Sequence, residues 1–132
     1  MVRGMCMTKE ERAELAVQYK QSGYNCCQSV IKAYEDCIPA DESLLMQLGA
    51  GFAAGMGCME ATCGALTGAV MAAGVRRAGE MVPPVAKQIL AEFKRTCGAT
   101  VCKELKGIDT GVVLCPCDKC VRNAVLAAES VL

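Results

Sequence analysis

Eleven of the 132 residues are cysteine, and none is histidine. The lack of His removes Ser–His and Cys–His nucleophile pairs, imidazole-ligated zinc and haem attachment through CxxCH. What remains is sulfur chemistry: metal–thiolate ligation, iron–sulfur binding or thiol–disulfide exchange. Eleven is odd, so a fully paired set of static disulfides is impossible within one chain. A small buried hydrophobe is the ordinary role of an isolated Cys such as Cys6 or Cys37, but it accounts poorly for all eleven.

Placement says more than number. Cys26 follows Asn25, Cys63 follows Thr62, Cys102 comes two residues after Thr100, and Cys117 follows Pro116. Each preceding residue signals a helix start, so four cysteines from four segments are expected in first helical turns. Free N–H groups and the positive end of the helix dipole stabilise a thiolate there, lowering the thiol pKa from its usual ~8.5. A thiolate is both nucleophile and metal ligand. Converging helix starts would gather four of them at one point.

The intervals add Cys58-x4-Cys63, Cys97-x4-Cys102, and Cys117-x2-Cys120 with Cys115 two residues ahead. A Cys-x2-Cys pair is half a zinc knuckle, an iron–sulfur ligand pair or a redox dithiol. No second such pair exists and neither ferredoxin spacing is present, so any ligand set must be assembled from distant segments. Other motifs are poor. The glycines from Gly49 to Gly57 follow no strand and contain no phosphate-loop pattern. The scattered methionines read as core fillers, Arg76-Arg77 and Lys94-Arg95 as solvated helix ends, and Glu60 as a loop carboxylate.

The elements that must carry these cysteines are helical. Thr8 and Glu11 make a capping box for a helix to about Gln21, with Ala13, Leu15, Ala16 and Tyr19 inward. Asn25 caps a second helix to about Cys37, with Cys27, Val30, Ile31 and Tyr34 on one face. Leu44, Leu45, Leu48 and Phe52 mark a third. Thr62 is expected to cap a fourth, from Cys63 to about Val75, apolar nearly all round and so the buried centre. Pro83-Pro84 opens a fifth with Val85, Ile89, Leu90 and Phe93. A short turn follows Thr100, and Cys115-Pro116-Cys117 opens the last helix with Val121, Val125, Ala128 and Val131. No segment reads as a strand. The fold class is therefore all-α: a compact bundle of about five to six helices, with residues 1–132 as one cysteine-rich domain.

Composition bounds the partners. Lys plus Arg and Asp plus Glu both number 14, so no net charge draws the chain to nucleic acid or an anionic membrane. Aromatics are 4% and Trp is absent, which disfavours base stacking. The longest apolar run, 65–75, is far below the about 20 residues of a membrane span. The start of the chain has no signal-peptide core, so a cytoplasmic setting with reduced thiols is expected. Gly64 with Gly68, and Ala65 with Ala69, let another helix approach closely. That is expected to serve tight core packing, and it leaves room for a homodimer.

The segments Ser22-Gly-Tyr-Asn-Cys-Cys-Gln-Ser-Val30 and Gly55-Met-Gly-Cys-Met-Glu-Ala-Thr-Cys-Gly-Ala-Leu-Thr-Gly-Ala69 resemble a redox-active family named for a C-GCAxxG-C-C cysteine pattern. Cys102-Lys-Glu-Leu-Lys-Gly107, and Cys117 ahead of Val121-Arg-Asn-Ala124, extend the likeness to about residues 10–130. The resemblance implies a small helical domain in redox or transport settings. Its four characteristic cysteines fall on Cys26, Cys63, Cys102 and Cys117, the set also reached from helix starts. Cys27 stands where the family usually has Ala, and Cys120 where an apolar residue is commoner. Cys58, Cys97 and Cys115 are further extras. All five are secondary candidates for a second site, alternative ligation or resolving thiols.

Four readings follow. The first is an electron-transfer module with an iron–sulfur cluster on Cys26, Cys63, Cys102 and Cys117, serving a redox partner protein. The second is cofactor-free dithiol chemistry, with Cys63 or Cys117 attacking and Cys58 or Cys120 resolving. The third is a structural zinc or soft-metal thiolate site, and the fourth a structural domain with incidental cysteines. Whether the domain catalyses or only carries electrons is left open by the residues.

Overall fold

The structure is a computed structural model that describes residues 7–132, so Cys6 lies outside the described residues. Among them the chain forms seven α-helices and no strand. These are α1 (Lys9–Gln21), α2 (Cys26–Ala33), α3 (Glu42–Gly49), α4 (Gly64–Arg76), α5 (Val82–Cys97), α6 (Cys102–Lys106) and α7 (Cys117–Glu129). The all-α expectation holds, with slightly more helices than expected. A 3-10 turn, Ala50–Phe52, and a π turn, Gly55–Met59, connect α3 to α4.

The starts follow local chemistry. Thr8 accepts from the Glu11 N–H while Glu11 reaches back to Thr8, and Asn25 and Gln28 do the same for α2. Asp41 caps α3. Gly98, at φ 95°, ends α5 in the left-handed region that glycine adopts without penalty.

Two starts differ from expectation. Thr62 does not cap α4, and Thr100 does not cap α6. Thr62 and Val101 instead form an isolated antiparallel bridge, in which the Cys63 N–H donates to the Thr100 carbonyl at 2.8 Å and the Cys102 N–H to the Ala61 carbonyl at 3.0 Å. Pairing keeps the backbone extended here, so Cys63 itself becomes the N-cap of α4 and Val101 that of α6.

The second helix is also shorter than expected, ending at Ala33 rather than near Cys37. Arg12, 1% exposed, donates Nη1 to the Ala33 carbonyl at 2.6 Å and forms a salt bridge to Asp36 at 2.7 Å. The carbonyl that would accept from the Cys37 N–H in a longer helix is thus engaged, and Cys37 N–H turns to the Tyr34 carbonyl. The guanidinium also lies 4.7 Å from the Tyr34 ring centroid.

Helix α7 runs through the middle of the bundle, touching α1, α2, α4 and α5. Val121, Ala124 and Val125 on it are fully buried. The expected central helix, α4, is packed by α2, α5 and α7 but leaves Val75 exposed. Val85, Ile89 and Phe93 point inward from α5, each contributing about 1.5–3 kcal/mol by burial. Leu44, Leu48 and Leu90, which mark their helices in the sequence, are exposed, whereas Arg12 and Val17 are buried. Leu15, Tyr19, Phe52 and Val131 are only half-buried.

Small residues set the closest approach. A Cβ on Gly64 would stand 2.5 Å from the Phe52 carbonyl oxygen, and one on Gly68 2.8 Å from the Cys27 carbonyl oxygen. The Cys63-Gly64-Ala65-x-x-Gly68 block is therefore the surface on which α2 lies. This use of the small-residue stripe is within the chain.

Candidate thiolate centre

Cys26 is the first residue of α2, Cys102 of α6 and Cys117 of α7, while Cys63 caps α4. All four therefore stand at helix starts. They line one cavity of about 420 Å³, together with Lys20 and Lys106.

Local backbone chemistry brings them there. The Thr62–Val101 bridge lashes the α4 and α6 starts side by side, placing Cys63 beside Cys102. The Leu114 and Cys115 N–H groups both donate to the Leu105 carbonyl, which ties the approach to α7, and so Cys117, onto α6. Asn25 Nδ2 donates to the Gly49 and Ala50 carbonyls, fixing the α2 start beneath the α3–α4 connection. That connection supplies the remaining wall through Ala53, Ala54, Gly55 and Met59. Ala54 and Met59 hold φ of 49° and 64°, a conformation that costs non-glycine residues about 1–3 kcal/mol each. Gly55 passes directly under Cys102, where its own Cβ would come within 2.6 Å of that residue's Cβ.

The four thiols are not equivalent. The Cys117 thiol is lowered to about 5, chiefly because Cys26 donates its S–H, with Lys106 and Lys20 adding attraction against the effect of burial. Cys26, the buried donor, is pushed up correspondingly. Cys63 is lowered to about 7 by a hydrogen bond from Cys120 and by the Ala65 and Leu66 N–H groups at the start of α4. Cys102 is raised by burial. The helix-start argument thus holds in part for Cys63, where the two N–H groups add to the Cys120 hydrogen bond, while Cys117 is tuned by side chains. At Cys26 and Cys102, burial and neighbouring thiols outweigh the dipole.

A second sulfur group lies inward. The Cys97, Cys115 and Cys120 sulfurs are all within 4.8 Å of one another and buried, an arrangement able to hold a metal ion. Among the described residues it is the one group of three or more ligating side chains that is so tight. Cys97 is lowered to about 6 by hydrogen bonds from Cys120 and Asn123. Cys120 keeps its proton between the Cys63 and Cys97 sulfurs and the Cys115 carbonyl, which lies 3.4 Å from its sulfur, and burial pushes Cys115 up to about 11.

Lys106 stands between the two groups. It donates to the Cys115 carbonyl at 3.3 Å, lies 3.7 Å from the Cys120 sulfur and shares the cavity wall with Cys117, whose thiolate it attracts. Burial opposes its charge, but the surrounding cysteine sulfurs win and raise its pKa.

The sequence reading missed both lysines. Lys106 had a signal, since it follows Cys102 by four residues and so shares its helix face; Lys20 had none. The remaining candidates separate. Cys27 is fully buried against Gly49, Gly64 and Gly68 and is pushed up to about 12 by burial. Cys37 sits 3.6 Å from Arg12. Cys58 is exposed on the π turn, facing the Gly55 carbonyl at 3.6 Å. All ten described cysteines are free thiols. The Cys-x2-Cys partners diverge, Cys117 turning to Cys26 and Cys120 to Cys63 and Cys97.

No described helix is long and apolar enough to cross a membrane. Neither the curated proteins nor the solved structures compared with the chain give a match. A family model described as "Putative redox-active protein (C_GCAxxG_C_C)" matches residues 24–131, a span that holds all four helix-start cysteines and the Gly64–Gly68 seat of α2. The chain belongs to this C_GCAxxG_C_C family.

Proposed function

We propose that this is an electron-transfer protein holding an iron–sulfur cluster on Cys26, Cys63, Cys102 and Cys117. The observation that carries the reading is the convergence of four helix starts, each bearing a cysteine, on one cavity of about 420 Å³. Four thiolates are the usual protein ligands of [2Fe–2S] and [4Fe–4S] clusters. A single zinc ion, with Zn–S bonds of about 2.3 Å, needs its four sulfurs about 3.8 Å apart. No three of these four have sulfurs all within 4.8 Å, so the opening suits a larger group than one ion. An oxidised cluster with four thiolates is doubly negative, and Lys20 and Lys106 on the cavity wall offset that charge. Such a cluster supplies one-electron chemistry. The chain supplies the ligands, a largely apolar wall and two cations that stabilise the added negative charge of the reduced form.

The reading is tested by anaerobic reconstitution with ferrous iron and sulfide. Cys26→Ser, Cys63→Ser, Cys102→Ser and Cys117→Ser each lower the iron retained, while Cys58→Ser and Cys37→Ser do not. Undiminished iron in Cys63→Ser or Cys102→Ser would overturn the ligand set.

A second reading is supported by Cys26 and Cys117 facing one cavity, where Cys26 holds the Cys117 thiol down to about 5. With Cys117 as thiolate, it attacks a substrate disulfide and releases one substrate thiolate. Cys26 then displaces the second substrate sulfur, leaving a Cys26–Cys117 disulfide and a fully reduced substrate. The resolving thiol is then Cys26, rather than Cys58 or Cys120. In metal-free protein, Cys26→Ser would trap the mixed disulfide on Cys117. Both readings place the chain in a reducing compartment such as the cytoplasm, beside a redox partner protein; a homodimer is tested by its mass in solution.

A further inference from the structure

The inner sulfur group shares no residue with the cavity set. Cys97 ends α5, Cys115 lies just before α7, and Cys120 is in the first turn of α7. Their exposures are 4%, 3% and 0%. A metal–sulfur bond of about 2.3 Å in a trigonal plane sets sulfurs about 4 Å apart. Three sulfurs already within 4.8 Å of one another need to contract by less than an ångström to meet that figure.

The three sulfurs enclose no fourth ligand within the same 4.8 Å group. Cys63 hydrogen-bonds Cys120 but lies outside the envelope that encloses the three. Asn123 presents its amide N–H to the Cys97 sulfur at 3.4 Å. Lys106 presents its ammonium to the Cys120 sulfur at 3.7 Å. Both groups offset thiolate charge and donate to sulfur instead of ligating. The near-complete burial of the three cysteines leaves no solvent face from which water could complete a tetrahedron. Structural zinc takes four ligands. A dry set of three thiolates suits instead a soft, low-charge ion that accepts three-fold coordination, and among biological metals that is Cu(I).

We propose that Cys97, Cys115 and Cys120 form a three-thiolate site for Cu(I) that shares no ligand with the cavity. Binding forms three Cu–S bonds and releases the thiol protons of Cys115 and Cys120 to solvent, with no change of oxidation state. Lys106, 3.7 Å from the Cys120 sulfur, compensates part of the negative charge the complex brings into the interior.

The test is an anaerobic titration of reduced, metal-free protein with Cu(I) against the chelator bathocuproine disulfonate. The protein withholds one equivalent from the chelator. Cys102→Ser and Cys117→Ser retain that equivalent, while Cys97→Ala and Cys115→Ala lose it with far-UV circular dichroism unchanged. X-ray absorption at copper on the unsubstituted protein, loaded with one equivalent, needs no variant to fold and counts three sulfurs. Copper kept by Cys115→Ala but lost by Cys117→Ser would move the ion to the cavity and overturn the proposal. So would two or four sulfurs around copper, no copper withheld, or preferential uptake of zinc by four sulfurs with Cys63 recruited.

Discussion

The seat of α2 on α4 can be tested with two glycines of one helix. A Cβ added at Gly68 stands 2.8 Å from the Cys27 carbonyl oxygen and 3.2 Å from the Val30 Cβ. Ordinary contact begins at about 3.4 Å, so α2 must retreat by about 0.6 Å. The obstacle is backbone, which no rotamer change relieves. Overpacking of this kind costs about 1–3 kcal/mol, whereas exchanging a helical Gly for Ala gains about 1 kcal/mol. Gly68→Ala is therefore destabilising by about 0–2 kcal/mol. Gly74, on the same helix, has nothing within 4 Å of an added Cβ. Gly74→Ala keeps only the gain of about 1 kcal/mol. The two variants differ by about 1–3 kcal/mol, or about 4–12 °C in melting temperature at ~4 °C per kcal/mol. Urea and thermal unfolding of reduced, metal-free protein, followed by circular dichroism, measures the difference without ligand linkage. Equal stabilisation by both substitutions would refute the close approach of α2 and α4. Because Cys26 opens α2, Gly68→Ala also weakens metal retention in the cavity.

Other outcomes follow from the same geometry. Arg12→Met leaves Asp36 and the Ala33 carbonyl without their buried partner and lowers stability by about 3–5 kcal/mol. Arg122→Ala, which breaks an exposed pair with Glu14, costs under about 1 kcal/mol; paired urea curves read both. With its pKa at about 5, Cys117 is alkylated by iodoacetamide at a rate that stays flat above neutrality and falls as pH drops through about 5. Cys26→Ala removes the S–H donor and moves that midpoint up toward ~8.5. Since the folded pKa lies below the unfolded one, the stabilisation from this thiolate is complete above the unfolded pKa and is lost as pH falls through the folded value. Lys106→Gln removes a cation attracted to Cys117 and shifts the same midpoint upward by a smaller amount.

What the sequence revealed depended on how local the cause was. Capping boxes at Thr8–Glu11 and Asn25–Gln28 are written within four residues, and both helices start where those residues say. Cys26 and Cys117 were legible for the same reason, from Asn25 and Pro116; Cys63 and Cys102 also stand at helix starts, but not through the caps read from Thr62 and Thr100. Thr62 and Thr100 misled because a pairing across 39 positions overrides the capping preference of either threonine alone. Leu44, Leu48 and Leu90 fit helical periodicity, yet no element covers them. Arg12 was illegible because a guanidinium is buried only when a distant carboxylate, here Asp36, meets it. The tight grouping of Cys97, Cys115 and Cys120 joins the end of one helix to the start of another. Nothing in their spacing distinguishes them from Cys58, which is exposed on a turn.

The central claim is that the cavity of Cys26, Cys63, Cys102 and Cys117 holds an iron–sulfur cluster. Anaerobic purification from iron-replete cells, with a visible spectrum and iron, sulfide, copper and zinc assayed on one sample, tests it most directly. The account predicts brown protein with matched iron and acid-labile sulfide, both lost in Cys63→Ser and both kept in Cys115→Ala. Colourless protein without iron or sulfide from that preparation would contradict it and leave the Cys26–Cys117 dithiol as the reading to pursue.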